Sequence, residues 1–148
     1  MDDDGDAAML TRCADALAGG VEAALAGWVV AAVERRAGRP DLRPAARAAG
    51  EEARREVGGA VRELLALDVD AQRTTPLALV RSAVRYPTRV LAGAGVPPVA
   101  RDRVAVEAFP DDPYDLTPGS LADLDPDLVE AGIAWGAAKA HTVLRRRR

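Results

Sequence analysis

A chain of 148 residues with 20 basic and 23 acidic side chains carries a net charge of −3, which lacks the basic excess expected of a nucleic-acid-binding domain. Hydrophobic residues make up 49% but aromatics only 3%, and much of the rest is alanine, so the expected core is thin and built by helices that approach closely. Cys13 is the only cysteine, which excludes an intramolecular disulfide.

The acidic start, Met1 to Asp6, does not follow the basic-then-apolar order of a secretory leader, and it is expected to be disordered with Asp6 as a candidate helix cap. The longest apolar run, Trp28 to Val33, is too short to cross a bilayer. The expected compartment is therefore cytoplasmic, with no membrane partner.

Over residues 7–37, Leu10, Cys13, Leu17, Val21, Ala24, Trp28 and Ala32 recur every three or four positions, the spacing of one helix face. Gly38-Arg39-Pro40 stops that helix. A second helix is expected over 42–68, capped by Asp41 with Pro44 in its first turn and Ala46, Ala53, Val57, Leu64 and Leu67 on its apolar stripe. So short a connection makes the two helices an antiparallel hairpin. The pairs Gly19-Gly20 and Gly58-Gly59 fall at similar distances from the turn and predict a close crossing of the two backbones.

Thr75 and Pro76 start a third helix within residues 74–94, with a kink at Pro87. Residues 95–126 are expected to be irregular, with a loop or short helix over 99–109 and an acidic, proline-rich loop after it; Ser120 or Asp125 are candidate caps there. A last helix runs over 127–146, and Arg145 to Arg148 form a basic tail at its C-terminus, where cations suit the helix dipole. The fold class that follows is all-α: a long hairpin, a kinked helix, an acidic loop and a C-terminal helix, in one domain over residues 7–144.

The strings Thr75-Pro76-Leu77, Ala83-Val84-Arg85-Tyr86-Pro87-Thr88, Gly95-Val96-Pro97-Pro98, Phe109-Pro110-Asp111-Asp112 and Trp135-Gly136-Ala137-Ala138-Lys139-Ala140 resemble a family of small uncharacterised proteins of high-GC Gram-positive bacteria. The resemblance covers about half the chain and implies a bacterial cytosolic protein; it supplies no activity.

No residues are assigned as catalytic, cofactor-binding or metal-ligating. Asp111-Asp112-Pro113-Tyr114-Asp115 has the DDxxD spelling of terpene synthases and prenyltransferases, but Pro110, Pro113 and Pro118 prevent the helix that their metal site requires. His141 is the only histidine, and no spacing recommends a dyad with Cys13. Gly93-Ala94-Gly95 leads into Val96-Pro97-Pro98 and not into a helix, so it is no phosphate loop.

Two surfaces stand out as partner-binding candidates. One is an Arg/Tyr patch of Arg81, Arg85, Tyr86 and Arg89; the other is the acidic loop with Asp111, Asp112, Tyr114 and Asp115. The expectation is a helical interaction or regulatory protein that binds another macromolecule, a protein partner first, with self-association into a homodimer. The alternative is a small-molecule or metal-ion binder, even an enzyme, with a pocket near residues 109–118. Nucleic-acid association through the Arg patches ranks behind both.

Overall fold

The computed structural model describes residues 3–147 and is all-α: 74% of the chain is helical, and no strand occurs among the described residues. Helices α1 (Asp3–Arg36) and α2 (Arg43–Ala66) form the long hairpin. After them come α3 (Pro76–Arg81), α4 (Arg85–Gly93), α5 (Arg103–Ala108) and α6 (Leu128–Arg146). Helix α1 packs most extensively on α2 and next on α6.

Apolar spacing explains where the core lies. Leu17, Val21, Leu25 and Val29 of α1 are fully buried against Ala53, Val57 and Val61 of α2, and Val80, Tyr86, Leu128 and Trp135 close this first cluster. A second cluster sits at the turn end of the hairpin. There Ala32, Val33, Leu42 and Ala46 meet Val84 and Leu91, together with Tyr114 and Leu116 from the acidic loop. That loop is thus a core element as well as a surface one.

Several expectations are corrected by tertiary contacts. Residues 3–6 are helical, so Asp6 is inside α1 and is not its cap; residues 1 and 2 lie outside the described residues. The Asp6 carboxylate is 3.0 Å from Arg145 Nε and 3.4 Å from His141 Nε2, and these contacts hold the start of α1 against α6. Asp41 does not cap α2 either. It sits in a 3-10 turn, Pro40–Leu42, and takes the Arg39 guanidinium at 2.7 Å, while Leu42 occupies the cap position.

The break in the third helix comes earlier than Pro87. Residues Ser82–Val84 form a 3-10 turn between α3 and α4, and Pro87 lies in the first turn of α4. A proline disturbs the carbonyl four residues before it, here Ala83, so the helix gives way on its N-terminal side. Thr75 does cap α3, its hydroxyl accepting from Ala78 N–H at 3.1 Å. Within 95–126, Asp102 caps the short α5 by accepting from Ala105 N–H at 2.8 Å. The Ser120 N–H donates to the Asp123 carboxylate at 3.2 Å at the start of another 3-10 turn, Leu121–Asp123.

The glycine pairs do not cross each other. A Cβ built on Gly19 or Gly59 meets nothing within 4 Å, and one on Gly20 would strike Leu128 of α6. The close approach of α1 to α2 is at Gly50, where a Cβ would lie 2.7 Å from the Ala26 carbonyl oxygen, and at Gly58, where it would lie 2.7 Å from Glu22 Cγ.

Read as a helix, α1 is long and apolar enough to cross a membrane by length and composition, which the short run Trp28 to Val33 had not suggested. Less than half of its most apolar stretch is covered within this chain. Its covered face is the spine of the core; Ala16, Ala23, Gly27 and Ala31 are exposed.

Candidate functional site

The acidic loop is built around one of its own carboxylates. Asp112 is 1% exposed, the one buried charged side chain among the described residues. Its oxygens accept from Leu116 N–H at 2.8 and 2.9 Å, and from Thr117 N–H and Thr117 Oγ1 at 2.8 Å each. Asp115 makes this return possible by adopting a left-handed backbone, φ 55°, which aspartate tolerates better than most residues.

Arginines clamp the loop from outside by donating to its carbonyls. Arg36 Nε reaches Tyr114 O at 2.6 Å, Arg81 reaches Pro118 O and Gly119 O at 3.1 Å each, and Arg101 reaches Phe109 O at 2.7 Å. Proline-rich backbone has no helix or sheet partners of its own, and guanidinium donors satisfy part of it. The Tyr114 hydroxyl donates to Val96 O at 2.6 Å, tying the loop to the segment after α4.

These contacts sort the candidate residues. Asp111 and Asp115 are exposed, whereas Asp112 and Tyr114 are buried and hold the loop together. Arg85 and Arg89 are exposed and Arg81 is half-buried. Tyr86 is 1% exposed, which corrects the expectation of an exposed tyrosine in the Arg patch. It is a pedestal: the Arg85 and Arg89 guanidinium carbons lie 4.7 and 5.5 Å from its ring centre.

The two candidate segments, far apart in sequence, line one cleft of about 370 Å³. Ala78, Arg81, Ser82 and Arg85 contribute from α3 and the turn after it; Phe109, Pro110, Asp111, Asp112 and Thr117 contribute from the loop. Arg81 lies 5.5 Å over the Phe109 ring, so its guanidinium is oriented by both the aromatic face and the loop carbonyls. The cleft thus offers cationic groups, one exposed carboxylate and an apolar aromatic surface.

Beneath the Arg patch, the Tyr86 hydroxyl donates to Glu56 Oε2 and accepts from Arg85 Nη2 at 3.0 Å. Burial pushes the Tyr86 phenol above its ordinary value, and the Glu56 hydrogen bond adds to this; the same hydrogen bond holds Glu56 below the usual carboxylate range. A raised phenol binds its proton more tightly in the folded state, so stability is expected to fall as pH rises past about 10. A lowered carboxyl acts oppositely, and its contribution is lost as pH falls through the carboxylate range. Urea denaturation across pH should show both losses in the native chain and a flatter profile in Tyr86→Phe. An identical alkaline slope in the two proteins would place its origin elsewhere.

Comparison with family models, curated proteins and solved structures finds no match to this chain.

Other candidates are accounted for by their surroundings. His141 is exposed and lies beside Asp6. In the basic tail, Arg146 Nη1 contacts Asp68 at 2.6 Å and Asp70 at 3.0 Å, and Arg145 contacts Asp6; Arg148 lies outside the described residues. Among the described residues no three His, Cys, Asp or Glu side chains are grouped to hold a metal ion. Cys13 is a half-buried free thiol packed against the first core cluster. The residues that sequence reasoning missed are Arg36, Arg101 and Phe109. Only the proline density of 110–118 hinted that such a loop needs external donors.

Proposed function

We propose that this chain is a cytosolic helical interaction protein that docks a polypeptide segment of a partner in the cleft between α3 and the acidic loop. The observation that carries the reading is the convergence of Arg81 and Arg85 with Phe109 and Asp111 on one cavity. Arg and aromatic side chains are the types that dominate interface energetics. Arg85 offers charge-assisted donors to a partner carboxylate, and Asp111 accepts from a partner Arg or Lys. Such paired charges favour a polypeptide over a nucleic-acid backbone, whose phosphates Asp111 would repel.

Affinity capture from a lysate of the source cell tests this. Arg85→Ala and Asp111→Ala are each expected to weaken retention of the captured protein by about tenfold or more, as hot-spot truncations do, without changing the circular dichroism. Unchanged retention in both variants would reject the cleft as the docking site. A small molecule is the second reading, favoured by a cleft volume within the range of small-ligand pockets. A thermal-shift screen would support it through a metabolite whose stabilisation disappears in Arg85→Ala.

A further inference from the structure

We propose that the outer face of α6 pairs two copies of this chain, antiparallel, about a two-fold axis. This goes beyond the cleft reading and uses none of the cleft residues.

Helix α6 has two apolar faces. Leu128, Trp135 and Ala138 are buried against α1 and its neighbours. On the opposite side, Ile133, Ala137, Ala140 and Leu144 follow one another at spacings of four, three and four, the repeat of a helix-pairing seam. All four are exposed, with Ile133 at 67% and Leu144 at 60%. Large aliphatics so exposed, in line on one helix, are what a partner helix covers.

The ends of the seam identify that partner. The same spacing continues to Glu130 at the N-terminal end and Arg147 at the C-terminal end, both exposed. Laid antiparallel on a second copy, the seam is its own complement about a point between Ala138 and Lys139. Ile133 then faces Leu144, Ala137 faces Ala140, and Glu130 faces Arg147, twice over by symmetry. A parallel pair would set Glu130 against Glu130 and Arg147 against Arg147. Helix dipoles add to the same preference.

The small central residues let the helix axes approach to the close end of the usual range, about 8 Å. Two neighbouring arginines are engaged within the chain: Arg146 on Asp68 and Asp70, Arg145 on Asp6. His141, also exposed, flanks the seam, and the carboxylate beside it is Asp6. A contact confined to two helices lies at the small end of protein interfaces, so the dimer is expected to form at micromolar concentration.

Sedimentation equilibrium on the full chain at tens of micromolar is expected to show a dimer. Ile133→Glu and Leu144→Glu, both at exposed positions, should yield folded monomers with unchanged helical circular dichroism. Glu130→Arg alone should raise the dissociation constant about tenfold, and adding Arg147→Glu should restore it. In a Cys13→Ala background, Ile133→Cys combined with Leu144→Cys should give a covalent dimer on oxidation, and Ile133→Cys alone should not. A monomeric native chain, or a dimer that survives both glutamate substitutions, overturns the proposal. Cross-linking by Ile133→Cys alone overturns the antiparallel arrangement.

Discussion

Replacing Asp112 by alanine is expected to lower the stability of this protein by about 3 kcal/mol, while Asp111→Ala changes it by less than about 0.5 kcal/mol. The two aspartates are adjacent in sequence and have opposite environments. Asp112 is buried and accepts from two backbone N–H groups and one hydroxyl, so its loss strands donors inside the loop. The damage should spread to the second core cluster, because Tyr114 and Leu116 enter it from that loop. Asp112→Asn keeps one acceptor oxygen and should fall between the two. Denaturant midpoints of the three variants decide the matter. Equal midpoints for Asp111→Ala and Asp112→Ala would mean that the loop does not depend on its internal carboxylate. The contrast also bears on function: Asp112 substitutions would weaken any docking indirectly, so of the two aspartates Asp111 is the one that reports on the cleft surface.

Gly50→Leu is expected to be the most damaging glycine substitution in the hairpin, costing about 3 kcal/mol, with Gly50→Ala costing less. The added Cβ would sit 2.7 Å from the Ala26 carbonyl oxygen and 3.1 Å from its Cα, and backbone atoms of a packed helix cannot swing aside. Gly59→Ala should behave in the opposite way and stabilise by about 0.5–1 kcal/mol, since its Cβ meets open space and alanine restricts the unfolded chain. Urea titration of the variants is sufficient. If Gly50→Leu left the midpoint unmoved, α1 and α2 would not approach closely at Ala26. If Gly59→Ala lowered the midpoint, that position would not be open.

The hairpin was legible because its cause is local and periodic. Leu17, Val21, Trp28, Val57 and Leu64 recur at helical spacing, and Gly38 to Pro40 interrupts a pattern that nothing else interrupts. Thr75 before Pro76 was readable for the same reason, since a cap and its helix lie within four residues. Positions set by distant partners were not readable. Asp6 is drawn into α1 beside Arg145. Asp41 is instead lost to a local competitor, since Arg39 two residues before it takes the carboxylate in a 3-10 turn. Which glycine touches a neighbour depends on helix rotation, so the doubled glycines drew attention while single Gly50 made the closest backbone contact.

For the candidate site, the sequence determined the composition: arginines on one segment, aspartates and prolines on another, and few residues suited to catalysis. It also determined that the chain is helical, because alanine, leucine and charged residues at three-four spacing bury one face most readily as helices. Only the tertiary structure decided which groups face solvent. It turned Asp112, Tyr114 and Tyr86 inward, left Asp111, Arg85 and Ile133 outward, and brought Arg81 over Phe109. The physical reason is that side chains of one type differ in energy through their neighbours. For Tyr114, Tyr86 and Arg81 these are groups tens of positions away in the chain, whereas Asp112 is held inward by Leu116 and Thr117 of its own loop once that loop is folded onto the core.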